Sequence, residues 1–118
     1  MLRFAILIII SLGLQFCCNG QNCTEMPAHF ESYRKAITYI KKSDFKLKDL
    51  INTSKSSWVR SASYYSCNNK YGYFIISTDK KEYLHFGLPL SLWLEFKKSP
   101  SFGDFYNKNI KGKFKFIL

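Results

Sequence analysis

The chain has few of the residues on which catalysis and metal binding usually depend. It contains two histidines, eight acidic residues and six glycines among 118 residues. The cysteines and histidines show none of the spacings that hold a metal ion, and no glycine-rich loop is present to hold a phosphate. The acidic residues are dispersed along the chain, which gives little support for acid–base catalysis by paired carboxylates. The sequence therefore predicts a protein that is not an enzyme and that uses neither a metal nor a cofactor.

A secretory signal peptide is indicated at residues 1–20. Arg3 supplies a positive charge, residues 4–14 form an almost unbroken apolar run, and Asn19 and Gly20 lie near the expected cleavage position. The apolar run is shorter than the roughly 20 residues that cross a bilayer. We therefore expect cleavage near Gly20 and a secreted or periplasmic protein that is not integral to the membrane. A retained anchor is the alternative.

Two of the four cysteines, Cys17 and Cys18, would be removed with this signal peptide. Cys23 and Cys67 would remain, and an even number of cysteines in an oxidising compartment favours a disulfide. A bridge that closes a loop of this size stabilises a fold by roughly 4 kcal/mol in the chain-entropy model. Two unrelated thiols are the alternative.

The chain is strongly basic, with a formal net charge of +10 that includes Arg3 of the signal peptide. Such a charge favours anionic partners, among them nucleic acids, acidic glycans and membrane surfaces. The lysines are scattered, with no run of more than two adjacent basic residues, so the sequence alone does not show a focused binding surface. A solvated lysine-rich surface that serves solubility is the alternative.

The segment 21–55 is predicted to be an N-terminal extension that contains a helix and a linker. Pro27 suits a first helical turn. Apolar residues then recur three or four positions apart, at Phe30, Tyr33, Ile37 and Ile40. This spacing predicts an amphipathic helix over residues 28–42. Residues 45–48 alternate like a short strand, although Leu47, Leu50 and Ile51 fit one side of a helical turn equally well. The polar residues 52–57 are predicted to form a linker.

Three runs after the linker have the composition of strands, at residues 58–66, 71–78 and 82–86. The turns between them are short, which predicts an antiparallel meander because parallel neighbours need a long crossover. Pro89 is predicted to end the strand region and to begin a helix.

That helix should place three residues on the sheet: Leu90, Trp93 and Leu94. Helical turns are predicted over residues 102–110, and residues 113–118 alternate like a further strand. The predicted fold class is α+β: an N-terminal amphipathic helix and a meander of three or four strands covered by one or two C-terminal helices.

A set of residues from Ser56 onward follows a recognisable order. Ser56 and Ser57 precede the first strand, Tyr83-Leu84-His85 occupies the third, and Leu88-Pro89 leads to a helix that contains Trp93. The closing segment has the following residues: Ser101, Gly103, Phe105, Tyr106, Asn107, Ile110 and Phe114.

This order resembles the KTSC domain, a small module named for its occurrence at the C-terminus of some lysyl-tRNA synthetases. The resemblance implies an α+β domain over residues 56–118 and, from the role suggested for the family, RNA as a partner. His85 stands where the family has a second tyrosine, which would make a stacking surface sensitive to pH.

The candidate ligand-binding residues are Tyr83, His85, Lys80, Lys81, Asn107 and Lys108. Exposed aromatic rings beside cations hold single-stranded nucleic acid. For His85, packing in the core or a structural hydrogen bond is the alternative, and for Asn107 it is a capping role. The predicted function is a secreted, non-catalytic binding module for an anionic polymer, either nucleic acid or an envelope glycan. A structural or protein-interaction domain whose lysines serve only solubility is the alternative.

Overall fold

The computed structural model describes residues 23–53 and 56–118, so the predicted signal peptide and residues 54 and 55 of the linker lie outside the described residues. A short 3₁₀ turn at Cys23–Glu25 comes first. The remaining elements are α1 (Tyr33–Lys42), β1 (Leu47–Asn52), β2 (Val59–Ser66), β3 (Tyr71–Thr78), β4 (Glu82–Pro89), α2 (Leu90–Lys98) and α3 (Phe102–Asn109). The strands form one antiparallel sheet in the order β1-β2-β3-β4, which confirms the α+β class and the meander.

The turn between β2 and β3 shows why the strands pair in this register. Asn69 has a φ of 60°, a left-handed conformation that asparagine tolerates. The Asn68 side-chain oxygen accepts hydrogen bonds from the backbone N–H groups of Lys70 and Tyr71. The Ser66 hydroxyl donates to the Tyr71 carbonyl at 2.7 Å. These bonds satisfy the turn internally and set Ser66 opposite Gly72.

The first face of the sheet is covered by α2 and α3. Trp93 of α2 is fully buried, and its ring stacks on Tyr64 with the centroids 5.4 Å apart. The same cluster contains Phe74 and Phe96, and Phe96 packs edge-on against Phe74. The Tyr64 hydroxyl donates to the Leu88 carbonyl at 2.8 Å, so this buried polar group is satisfied.

Asp49 connects β1 to this layer. Its carboxylate accepts hydrogen bonds from the Trp93 indole N–H at 2.9 Å and from the Lys97 ammonium at 2.6 Å. Burial acts to raise the pKa of the Asp49 carboxyl, but the hydrogen bonds from Lys97 and Trp93 hold it below its usual value. The carboxylate therefore stays ionised and fixes the orientation of the indole ring.

The second face of the sheet is covered by α1. Ala36, Ile37 and Ile40 form its buried stripe and belong to one cluster with Tyr65, Ile75 and Leu84 of the sheet. Cys23 and Cys67 form a disulfide, with their Cα atoms 5.8 Å apart, as the sequence predicted. The bridge ties the segment before α1 to the end of β2. The sheet is therefore buried on both faces, each against a different helical layer.

The N-terminal helix begins later than predicted. Ser32 is the N-cap, since its side-chain oxygen accepts from the Lys35 N–H at 3.2 Å and its backbone is extended. Pro27 and Phe30 therefore precede the helix, although Phe30 still packs against the second-face cluster. The helical alternative for Leu47, Leu50 and Ile51 is wrong, because these residues alternate along β1.

Three further predictions near the C-terminal half are wrong in detail. β4 does not end at Phe86 but continues to Pro89, where the strand region was predicted to end, because Gly87 adopts a φ of +82° at a register shift between β3 and β4. Leu94 is 43% exposed, and Phe96 takes its place in the core. Residues 113–118 do not form a strand, since their pairing with β4 is one isolated antiparallel bridge between Lys115 and His85.

Candidate binding groove

A groove of about 910 Å³ opens where α1, β4 and the C-terminal residues 115–118 meet. Its volume lies within the range typical of small-molecule sites. The lining residues are Tyr33, Arg34, Ile37, Lys80, Lys81, Glu82, Tyr83, Leu84, His85, Lys115, Phe116, Ile117 and Leu118. The groove therefore brings together three segments that are far apart in the sequence.

The charges around this groove are mostly positive. Arg34 comes from α1, Lys80 and Lys81 from the β3–β4 turn, and Lys115 from the C-terminal segment. Glu82 is the acidic residue among the lining side chains, and its carboxylate pairs with Lys41 at 2.6 Å. Because Lys41 neutralises this acid, the four cations leave the groove with an excess of positive charge.

Two exposed tyrosines line the groove, one from α1 and one from β4. Tyr33 is 49% exposed, and its hydroxyl donates to the Phe116 carbonyl at 3.0 Å, which fixes the ring at the start of α1. Tyr83 is 36% exposed, and the Lys81 ammonium lies 5.1 Å from the centre of its ring. The aromatic face of Tyr83 thus has a cation beside it, an arrangement that suits a planar or anionic ligand.

His85 lines the groove, but its ring belongs mainly to the interior and is only 7% exposed. Its Nδ1 atom lies 2.9 Å from the Phe114 carbonyl, which only accepts, so Nδ1 carries the proton. Its Nε2 atom lies 2.7 Å from the Tyr106 hydroxyl, which then donates to it. Burial raises the pKa of Tyr106 to about 12, so that hydroxyl keeps its proton. The structure thus gives His85 the structural hydrogen bonds that the sequence analysis offered as the alternative to a stacking surface.

The protonation of His85 should make the fold sensitive to acid. Burial lowers the pKa of His85, although its hydrogen bond to the Phe114 carbonyl acts in the opposite direction. In the unfolded chain its pKa is about 6.5, so below that pH the unfolded state binds more protons than the folded state. The free energy of unfolding should therefore fall as the pH is lowered from 7.5 to 5.5. Urea denaturation across this range measures the effect.

The matched control for this prediction is the exposed histidine, His29. His29→Gln should keep the loss of stability at acidic pH, whereas His85→Gln should remove it whatever its effect on stability at neutral pH. Asp49 does not interfere, because its lowered pKa places its titration below this range. An unchanged pH dependence in His85→Gln would contradict the assignment.

Asn107 and Lys108 lie elsewhere than the other candidate residues. Both are exposed in the last turns of α3, and neither lines the groove. The neighbouring Asn109 donates from its side chain to the Phe105 carbonyl at 3.2 Å, a local bond within the helix. The structure therefore groups Tyr83, His85, Lys80 and Lys81, and it does not bring Asn107 and Lys108 to them.

Sequence reasoning missed Tyr33, Arg34, Lys115 and Phe116 as members of the site. The spacing of α1 identifies Tyr33 as part of an apolar stripe and Arg34 as part of a basic outer face. No sequence signal shows that the first turn of this helix lies beside β4. The groove depends on that tertiary contact, which is why periodicity alone does not find it.

The described part of the chain contains neither a candidate metal site nor a candidate membrane-spanning helix. Within residues 23–53 and 56–118, no three His, Cys, Asp or Glu side chains gather in a way that could hold a metal ion. Among these same residues, no helix has the length and apolar character needed to cross a membrane.

The residues that carried the family resemblance have structural roles. The Ser101 hydroxyl caps α3 by accepting from the Asp104 N–H at 3.3 Å. Gly103 lies against Trp58, where an added Cβ would come within 2.6 Å of the indole nitrogen. Tyr106 holds His85, and Ile110 is fully buried. The closing segment of the resemblance therefore specifies how α3 packs on the sheet, and none of its residues lines the groove.

Comparison with known proteins agrees with this assignment. A family model described as the KTSC domain matches residues 55–114, and no curated protein matches the chain. A KTSC domain protein from Yersinia pestis, known from a crystal structure, is 27% identical with a TM-score of 0.50. The similarity covers 58% of this chain and 93% of the Yersinia chain. Because the family model spans half of the chain and the similar structure bears the same domain name, this chain belongs to the KTSC domain family.

Proposed function

We propose that this protein is a secreted, non-catalytic module that binds an anionic polymer in the groove between α1 and β4. The observation that carries the proposal is the placement of four cations, Arg34, Lys80, Lys81 and Lys115, around two exposed tyrosines. Cations that track a charged backbone and aromatic rings that stack on its bases or sugars are the usual elements of such sites.

Two observations support a role without catalysis. His85 uses both ring nitrogens in hydrogen bonds within the fold, so neither is free to transfer a proton to a ligand. Cys23 and Cys67 are joined in a disulfide, so neither offers a thiolate nucleophile. The same disulfide supports secretion, because structural disulfides persist in oxidising compartments.

The test is a salt titration of polymer binding by fluorescence anisotropy. Labelled single-stranded RNA, single-stranded DNA and a sulfated glycan are the probes. If the four cations each neutralise one phosphate, affinity for a single strand should fall about 50-fold between 50 and 200 mM salt. Which of the three polymers binds most tightly identifies the class of ligand.

A pair of double variants locates the site. Arg34→Gln with Lys81→Gln should weaken binding and reduce the slope of the salt dependence by about 1.4. Lys46→Gln with Lys111→Gln removes the same charge at exposed positions away from the groove and should leave both nearly unchanged. Equal losses in the two double variants would show that net charge alone drives binding. The absence of salt-sensitive binding to all three polymers would reject the proposal.

A further inference from the structure

We infer that the ligand of the groove is an anionic amphiphile, an anionic headgroup that carries a single alkyl or acyl chain. An anionic polymer that bears such chains would present this chemistry, so the inference refines the proposed function. It rests on the proposed function in requiring that the same groove bind an anion.

The apolar side of the groove carries this inference. Among the described residues, eight large apolar side chains are exposed, and four of them line this groove: Tyr33, Tyr83, Ile117 and Leu118. Ile117 is the most exposed of all, with 83% of its surface open. Ile37, Leu84 and Phe116 add further apolar lining. Apolar side chains gathered in this way usually mark a binding surface.

The cations and the apolar residues together define the ligand. A polymer without alkyl chains would contact the four cations and stack on the two tyrosines, but it would leave Ile117 and Leu118 in water. A ligand with an alkyl chain would bury that wall, and each methylene removed from water raises affinity by about fourfold. The groove is concave, which suits one chain from a single molecule better than the flat surface of a bilayer.

Most of the residues that would hold the alkyl chain lie outside the part of this protein that matches the family model. Tyr33 and Ile37 of α1 and Ile117 of the C-terminal segment all lie outside residues 55–114. The family module therefore supplies Lys80, Lys81 and Tyr83, and the flanking segments supply most of the apolar wall. A preference for a chain-bearing anion would accordingly be a property of this chain and not of the KTSC module alone.

The experiment compares decyl phosphate with ethyl phosphate by titration calorimetry of the oxidised protein. Both probes carry the same headgroup, and decyl phosphate is kept below its micelle concentration. Decyl phosphate should bind with one site per protein and at least about tenfold more tightly than ethyl phosphate, because the open groove buries only part of the chain. Equal affinities would overturn the inference.

Two exposed apolar residues provide matched variants. Ile117→Ser should lower the affinity for decyl phosphate by at least about threefold and leave ethyl phosphate unchanged. Leu50→Ser, at a residue on β1 that is 70% exposed and does not line the groove, should change neither affinity. The double variant Arg34→Gln with Lys81→Gln should lower the affinity for both alkyl phosphates. Because Ile117 and Leu50 are both exposed, neither substitution should affect folding.

The outcomes separate this inference from the proposed function. If RNA or glycan binding is salt-sensitive and located at Arg34 and Lys81, but decyl and ethyl phosphate bind equally, the inference fails and the proposed function stands. If neither the polymers nor the alkyl phosphates bind, both fail. Binding to vesicles of an anionic phospholipid without one-to-one binding of decyl phosphate would overturn the inference in favour of a membrane surface.

Discussion

Replacing Trp93 by alanine should lower the free energy of unfolding by about 3–5 kcal/mol, the range for deleting a large buried aromatic ring. Trp93 is fully buried, and it contacts Tyr64, Phe74 and Phe96 through its ring. Its removal would leave a cavity between α2 and the sheet. It would also remove the hydrogen bond that the indole N–H donates to the Asp49 carboxylate. Urea denaturation at pH 7.5, followed by far-ultraviolet circular dichroism, measures the loss.

Leu94 is the control for this prediction, because it is the next residue on the same helix and is 43% exposed. Leu94→Ala should cost less than about 1 kcal/mol, since little apolar surface is removed from the interior. Trp93→Phe should fall between the two variants, because it retains a ring but loses the hydrogen bond to Asp49. If Leu94→Ala were as damaging as Trp93→Ala, the placement of α2 on the sheet would be wrong.

Removal of the disulfide should be almost as damaging. Cys23 and Cys67 are 44 positions apart, and closing a loop of that length stabilises the folded state by about 4 kcal/mol in the chain-entropy model. The double variant Cys23→Ser with Cys67→Ser should therefore lose about that amount. Urea denaturation of the oxidised protein and of the double variant provides the comparison.

A reductant is the control for the disulfide prediction. Adding a strong thiol reductant should bring the stability of the unmodified protein down to that of the double variant and should leave the double variant unchanged. Equal stabilities of the oxidised protein and the double variant would contradict the prediction. Because the bridge acts mainly on the unfolded chain, the loss of stability should not require a change in the folded structure.

The order and pairing of the strands were predictable from local chemistry, whereas the residues at which the strands end were not. β3 is rich in aromatic and β-branched side chains, and β2 alternates large and small residues. A short polar turn separates the two strands, so pairing between neighbours was the simplest outcome. The end of β4 depends on Gly87, whose positive φ permits a register shift instead of a stop. A glycine after an alternating run looks the same in the sequence whether the strand ends there or continues through a bulge.

The orientation of α2 illustrates a second limit. Leu90, Trp93, Leu94 and Phe96 are all apolar, so the spacing allows more than one buried face. The helix begins directly after Pro89, and that starting point turns Trp93 and Phe96 inward and Leu94 outward. Where a helix has more apolar residues than its buried face can hold, the packing of its neighbours decides which ones remain exposed.

The candidate site shows the same division between local and long-range information. Lys80, Lys81 and Tyr83 are close in sequence and could be proposed together, and the structure places them on one groove. Tyr33 and Lys115 reach the same groove from opposite ends of the described chain. Their contribution follows from how α1 and the C-terminal segment pack around β4, and no local pattern encodes it.

Because helices cover both faces of the sheet, the part of the chain that matches the family model and the part that should fold cooperatively have different boundaries. The family match begins at residue 55, yet β1, the Asp49 bond to Trp93 and the helix over Tyr65, Ile75 and Leu84 all come from residues before it. A polypeptide that started at residue 55 would leave an apolar layer of the sheet in contact with water. In this protein the flanking segment and the KTSC module are therefore expected to fold as one unit, and neither part is expected to be stable alone.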